Sequence, residues 1–256
     1  MELFYRSFGE GKPIIILHGL LGMSDNWMQP ARQLAKTYRV VVPDLRNHGN
    51  SPHSATFHLQ ALADDILELV NTLGLHSIYL LGHSLGGRIA ISLALQHPNL
   101  IEKLVVVDIA PRAYSGSKSI ANLLTAMSKV EFKNHKSLSE IEVFLARFIP
   151  DVRVRQLVLK NIKRLEPELF GWKCNFDVIL SHVETLMSPV SESLPFQKPT
   201  LFITGGMPDF VLPHDYKTIM QYFPSAVIQS IPNASHWVHA DEPQLFLDAV
   251  AAFLGN

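Results

Sequence analysis

The chain has 256 residues, 47% of them apolar and 18% charged, the balance of a protein with a sizeable core rather than a disordered one. Its formal net charge of −1, with lysines and arginines scattered, gives no field that would draw it to nucleic acid or an anionic membrane. The single cysteine, Cys174, excludes an internal disulfide framework, and no Cys/His spacing suggests a structural metal. No apolar run is long enough to span a bilayer, and Met1–Arg6 lacks the basic and apolar stretches of a signal peptide. The expectation is therefore a cytoplasmic protein with no stable membrane association.

In chain order, short apolar runs at Leu3–Phe8 and Pro13–Leu17 flank Gly9-Glu10-Gly11-Lys12. That pattern predicts a hairpin and an antiparallel sheet edge. Helical spacing follows at Trp27–Thr37, then a strand at Arg39–Pro43, a helix at Leu59–Leu73, a strand at Ile78–Leu81, a helix at Leu85–Gln96 and a strand at Lys103–Asp108. From Pro111 to Pro199 no strand run is visible. Four helices are expected there instead, at Ser119–Val130, Ser137–Phe148, Val152–Leu165 and Phe176–Met187, punctuated by Asn134, Pro150 and Pro167. Strands at Thr200–Thr204 and Ala226–Ile231 alternate again with helices at His214–Tyr222 and Pro243–Leu254. The alternation predicts an α/β fold: a mostly parallel sheet of about seven to eight strands with helices on both faces. Residues 1–110 and 199–256 form the core, and 111–198 form an inserted helical cap. The alternative for the insert is a separate helical domain, but both of its ends return to core strands.

Gly82-His83-Ser84-Leu85-Gly86 joins a strand to a helix, the context of a nucleophile elbow. Small residues allow the sharp turn, and the helix N-terminus favours negative charge beside the serine. A serine hydroxyl needs a base, an acid to orient that base, and donors for the oxyanion. His236, on the small-residue loop Pro232–Ser235 after the last strand, is the candidate base. His239 competes with it but lies closer to the final helix. Two acids end strands on the same side, Asp108 and Asp209, and both are within reach of an imidazole there. Spacing alone favours Asp209, within Gly206-Met207-Pro208-Asp209, slightly over Asp108. The oxyanion hole draws one amide from Leu85 and one from Leu20, which follows the strand Ile14–Leu17 and the pair His18-Gly19. The loop Asp44–Pro52 reads as scaffold, with Arg46 tying neighbouring loops together.

With these motifs placed, the chain resembles the α/β-hydrolase superfamily over nearly its full length. More narrowly, it resembles the small YbfF-type bacterial esterases and the related abhydrolase-domain-11 proteins. The matching strings are Leu17-His18-Gly19-Leu20-Leu21-Gly22, Arg46-Asn47-His48-Gly49, Gly82–Gly87, Asp108-Ile109-Ala110-Pro111 and His236-Trp237-Val238-His239; Trp172 and Asn175 of the cap also match. The resemblance implies that Asp108 is the catalytic acid, beside Ser84 and His236, although the intact Gly-x-x-Asp-x-x-x-Pro string keeps Asp209 as the alternative. It implies hydrolysis of a small-molecule carboxylic ester, with acyl-CoA thioesters as a further substrate class, and neither a metal nor an organic cofactor. The competing functions are another chemistry on the same triad (lyase, C–C hydrolase or perhydrolase) and a ligand-binding receptor on a hydrolase scaffold. Nothing in the chain distinguishes a monomer from a homodimer. Leu123, Leu124, Met127, Phe144, Phe148, Phe170 and Trp172 are candidates to line an acyl pocket, a minority of them touching substrate. Lys163, Arg164 and Lys173 are candidates for CoA phosphates, against the plainer reading of solvated surface.

Overall fold

The computed structural model describes residues 1–114, 118–167, 169–190, 194–207 and 210–255. Strand β1 (Tyr5–Phe8) and β2 (Pro13–Leu17) lead into α1 (Met28–Leu34), β3 (Arg39–Pro43), α2 (Leu59–Thr72), β4 (Ile78–His83), α3 (Leu85–Gln96) and β5 (Ile101–Val107). The insert then supplies α4 (Lys118–Ser128), α5 (Leu138–Ala146), α6 (Val152–Lys160), β6 (Ile162–Glu166), β7 (Leu169–Trp172) and α7 (Phe176–Leu186). The chain returns through β8 (Thr200–Gly205), α8 (Asp215–Tyr222), β9 (Ala226–Ile231), α9 (Val238–Asp241) and α10 (Pro243–Gly255). Seven strands form one sheet in the order β1-β3-β2-β4-β5-β8-β9, parallel except for β1, which runs antiparallel to β3.

Alternation along each strand builds two cores. Ile15, Leu17, Leu80, Leu104, Val106 and Phe202 face α2, α3 and α8. Their neighbours Ile14, Ile16, Leu81, Val105, Val107, Leu201 and Ile203 face α1 and α10. Both faces are covered, so the central strands read as continuous apolar runs. Leu124, Met127, Ile141, Leu145, Leu157, Phe170 and Ile179 of the insert belong to the same apolar cluster as the first face. The chain leaves β2 toward β3 on one side and β4 on the other. This switch opens a crevice at the C-terminal ends of β2 and β4, the place where open α/β sheets bind ligands.

Two expectations are corrected. The first two strands do not pair as a hairpin, because β3 lies between them. The link between them carries Gly9 and Gly11 at φ +70° and +104°. A Cβ on Gly9 would stand 2.3 Å from the carbonyl oxygen of Ala35 and 2.4 Å from that of Tyr38. The link therefore crosses the α1–β3 connection at backbone contact instead of folding back. The insert is also not wholly helical. The predicted helix over Val152–Leu165 ends at Lys160, and β6 pairs antiparallel with β7. The buried Asn161 side chain donates to the Leu157 carbonyl at 3.0 Å, which closes the helix and turns the chain into the strand.

Candidate active site

The elbow is built by close backbone approach. A Cβ on Gly82 would lie 2.2 Å from the Gly86 carbonyl oxygen, and one on Gly86 would lie 2.3 Å from that of Leu17. Only glycine lets β4 turn into α3 this tightly. Ser84 sits at φ +52°, ψ −116°, a conformation costing about 1–3 kcal/mol for a residue with a side chain. Its backbone is held at both ends: its N–H donates to the Val107 carbonyl at 3.1 Å, and its carbonyl accepts from Arg88 N–H at 3.0 Å. Leu85 opens α3, so its amide belongs to the first turn and has no partner within the helix.

The second wall is the loop after β2. Leu45 N–H donates to Nε2 of His18 at 2.9 Å, which fixes the proton of this neutral imidazole on Nδ1. Nδ1–H then donates to the Gly19 carbonyl at 2.8 Å. Gly22 N–H donates to the same oxygen at 2.9 Å. In a trans peptide the carbonyl and the following N–H point opposite ways. With the Gly19 oxygen tied back, the Leu20 amide faces away from that anchor. Burial holds the His18 pKa down, with Asp44 partly opposing the shift. Gly19 packs against the elbow, its Cβ position 3.2 Å from Ser84 Cβ and 3.0 Å from His83 Nδ1.

Asp108 follows β5 at φ +48°. Its Oδ1 accepts from Gly205 N–H at 3.0 Å, and its Oδ2 meets His236 Nδ1 at 2.8 Å. The imidazole of His236 lies flat on Phe210, with centroids 3.6 Å apart and planes 19° from parallel. His83 Nε2–H donates to the His236 carbonyl at 2.9 Å. Burial, then the neighbouring His236 and His239, keep the His83 pKa well below its ordinary value, so it is a neutral donor. His239 does not join this arrangement. It is buried on α9, stacked on Trp27 at 4.1 Å, and burial pushes its pKa down to about 3. The alternative acid, Asp209, lies outside the described residues.

The supporting loops behave as scaffold. Arg46 grips Asp65 with two nitrogens, at 2.5 and 2.7 Å, and donates to the Thr56 carbonyl at 2.8 Å. Arg88, four residues beyond Ser84 and fully buried, donates to the carbonyls of Leu186 and Arg112, both at 2.9 Å, and to that of Ser188. Burial lowers its pKa to about 10, so it stays charged at neutral pH. One guanidinium therefore fastens both stems of the insert. Asn161 donates to the Leu21 carbonyl at 2.6 Å, and Asn175 to Asn47 Oδ1 at 3.1 Å.

Ser84 and His236 line a cavity of about 800 Å³. Its insert wall comes from Ile120 and Leu123 of α4 and Val154 and Leu157 of α6, its core wall from Leu20, Met207, Phe210 and Trp237. Of the seven apolar candidates only Leu123 lines it. Leu124, Met127 and Phe170 are buried in the core, Phe144 packs on Phe148, and Trp172 on Phe132 and Phe176. Lys163, Arg164 and Lys173 are not among its lining residues. Sequence reasoning missed His83 and Phe210 as supports of His236, and Arg88 and Asn161 as ties to the insert. No local motif signals a residue whose partners are distant carbonyls.

A family model described as the alpha/beta hydrolase fold matches residues 12–132. The chain is 38% identical to the sn-1-specific diacylglycerol lipase ABHD11 of Mus musculus, across 94% of this chain and 80% of that protein. It is 28% identical to Esterase YbfF of Escherichia coli, across 95% and 93% of the two chains. A solved marine microorganism esterase superposes with a TM-score of 0.96 at 37% identity, covering 98% of this chain and 99% of the other. Likeness that extends over almost the whole of both chains, on a sheet with this switch point and this elbow, means that the protein belongs to the α/β-hydrolase family.

Proposed function

We propose that the protein is a serine hydrolase of carboxylic esters that works through an acyl-enzyme on Ser84. The observation that carries this reading is the Asp108–His236 pair at 2.8 Å, with His236 and Ser84 on the wall of one cavity. The esterase and lipase names of its relatives support the same reaction class. With Nδ1–H given to Asp108, His236 presents the lone pair of Nε2. Ser84 Oγ attacks the acyl carbonyl as Nε2 takes its proton. The developing oxyanion is met by the amides of Leu20 and Leu85, each worth about 3 kcal/mol of barrier. Nε2 then protonates the leaving alcohol, and water repeats the sequence on the acyl-enzyme. Asp108 keeps the imidazole in the required tautomer and stabilises its cation.

Residues 111–198 act in this reading as a lid on a core formed by 1–110 and 199–256. Its α4 and α6 form the apolar wall and thereby set the acyl length. The experiment is hydrolysis of p-nitrophenyl esters from acetate to palmitate, wild type beside Ser84→Ala. Turnover lost in the variant is the expected result, and the chain-length optimum sizes the wall. Equal turnover in both proteins, or none in either, would overturn the reading.

A further inference from the structure

The cavity is electrostatically one-sided. Among its described lining residues there is no lysine or arginine and one carboxylate, that of Asp151. Asp151 caps α6, accepting from Arg153 N–H at 2.8 Å. The Arg153 guanidinium stands 3.3 Å from Asp151 and also pairs with Asp241. Asp241, with only 5% of its side chain exposed, in turn accepts from the amide of Ser235, beside His236, at 2.7 Å. Two carboxylates thus share the Arg153 guanidinium, while the Arg155 guanidinium is turned to the carbonyls of Ile149 and Pro150 at 2.8 and 2.9 Å, so the carboxylate of Asp151 is the charge that lines the cavity among its described residues. Burial opposes the ionisation of Asp151, but the hydrogen bonds from Arg153 outweigh it and its pKa lies below the ordinary value. A sphere of about 800 Å³ is roughly 11–12 Å across, little more than one Debye length of about 8–10 Å, so a charge held in the near part of the cavity meets the field of that group. The basic residues that would answer an anionic substrate, Lys163 and Arg164, sit on the exposed β6 instead.

We propose that Asp151 makes the site selective by charge, accepting esters whose leaving group is neutral or cationic and turning away those with anionic leaving groups, the phosphorylated thiol of an acyl-CoA included. This rests on the ester-hydrolase reading above and deepens it. The residue determines specificity rather than chemistry: it acts on the field that a substrate meets on entry, so it affects kcat/KM according to substrate charge.

The test uses three butyrate esters of similar bulk followed by acid release: butyrylcholine, its uncharged isostere 3,3-dimethylbutyl butyrate, and 2-sulfoethyl butyrate. Each kcat/KM is compared between wild type, Asp151→Asn and Asp151→Lys, so the intrinsic reactivity of each alcohol cancels. Asparagine is also a good helix cap, so the variant removes charge and keeps α6. The cation-to-anion ratio of kcat/KM is expected to fall about tenfold in Asp151→Asn, to fall further in Asp151→Lys, and to narrow in wild type at high salt. A variant that changes all three esters by one common factor, or leaves the ratio where it was, overturns the proposal and leaves the ester reading intact. Absence of Ser84-dependent turnover on all three esters overturns both.

Discussion

The side chain of Asn161 reaches from the insert to the carbonyl of Leu21 at 2.6 Å, one residue beyond the Leu20 amide assigned to the oxyanion. Leu21 is itself strained, at φ +60°, so its conformation needs an outside hold. Replacing Asn161 with leucine leaves the Leu21 and Leu157 carbonyls without that donor, at about 1–3 kcal/mol of stability. The expected kinetic signature is a kcat lower by about tenfold with KM nearly unchanged, because the misplaced amide matters in the transition state. Rates normalised to titrated active sites, beside a thermal melt, check this. Proportional changes in kcat and KM would instead indicate a distorted cavity.

The two acids make opposite predictions. Asp108→Asn preserves shape but inverts the hydrogen bond that fixes the His236 tautomer, so kcat is expected to fall by about 10³-fold or more. Asp209→Asn is expected to stay within about threefold of wild type. Steady-state kinetics on one p-nitrophenyl ester decides between them, and the reverse order would transfer the role to Asp209.

Buried histidines make the fold acid-sensitive. Burial holds His48 and His239 at pKa values of about 3, against about 6.5 in an unfolded chain. Between those values the unfolded chain binds protons that the folded chain does not, so stability falls as pH drops. Each such histidine contributes about 1.4 kcal/mol per pH unit in that window. His239→Phe keeps the stack on Trp27 and removes a ring whose Nδ1 has no hydrogen-bond partner. Its denaturation midpoint is expected to depend less steeply on pH between 6 and 4, as urea titrations at several pH values would show. An unchanged slope would contradict the assignment.

Arg88→Met strips three carbonyls, those of Arg112, Leu186 and Ser188, of their shared donor. The Leu186 bond is buried and the other two partly so, and leaving these groups unmatched is expected to destabilise the protein by about 1–3 kcal/mol. Because both stems of the insert hang on that guanidinium, the loss should be uneven. Limited proteolysis under native conditions is expected to cut within 111–198 before the core. Simultaneous loss of both regions would mean that the arginine supports the whole fold rather than the stems.

What the sequence revealed was mostly local. The elbow was legible because its constraint lies within five residues, and α3 spans the residues its apolar spacing predicted. The pairing of β1 was not, because its partner β3 is set by where the Gly9–Gly11 link crosses the α1–β3 connection. Strand β6 escaped notice because only Ile162 of its five residues is buried, so it carries no apolar alternation. Apolar spacing in the insert correctly reported burial at Leu124 and Met127. It is silent on what a face is buried against, and only Leu123 of the seven candidates reaches the cavity. Between Asp108 and Asp209 spacing leaned to Asp209; Asp108, bent back at φ +48°, meets His236, and Asp209 lies outside the described residues.

The Asp108–His236 contact closes a loop of 128 residues, and the imidazole is carried just beyond β9, the outermost strand on its side of the sheet. Closing so long a loop is entropically expensive and comes late relative to local contacts. In the mechanism proposed above, a ribosome that has delivered the elbow has made a serine with no base to activate it. On the proposed mechanism chemistry begins only when β9 docks, so hydrolytic activity would itself report that the loop carrying His236 has reached its place.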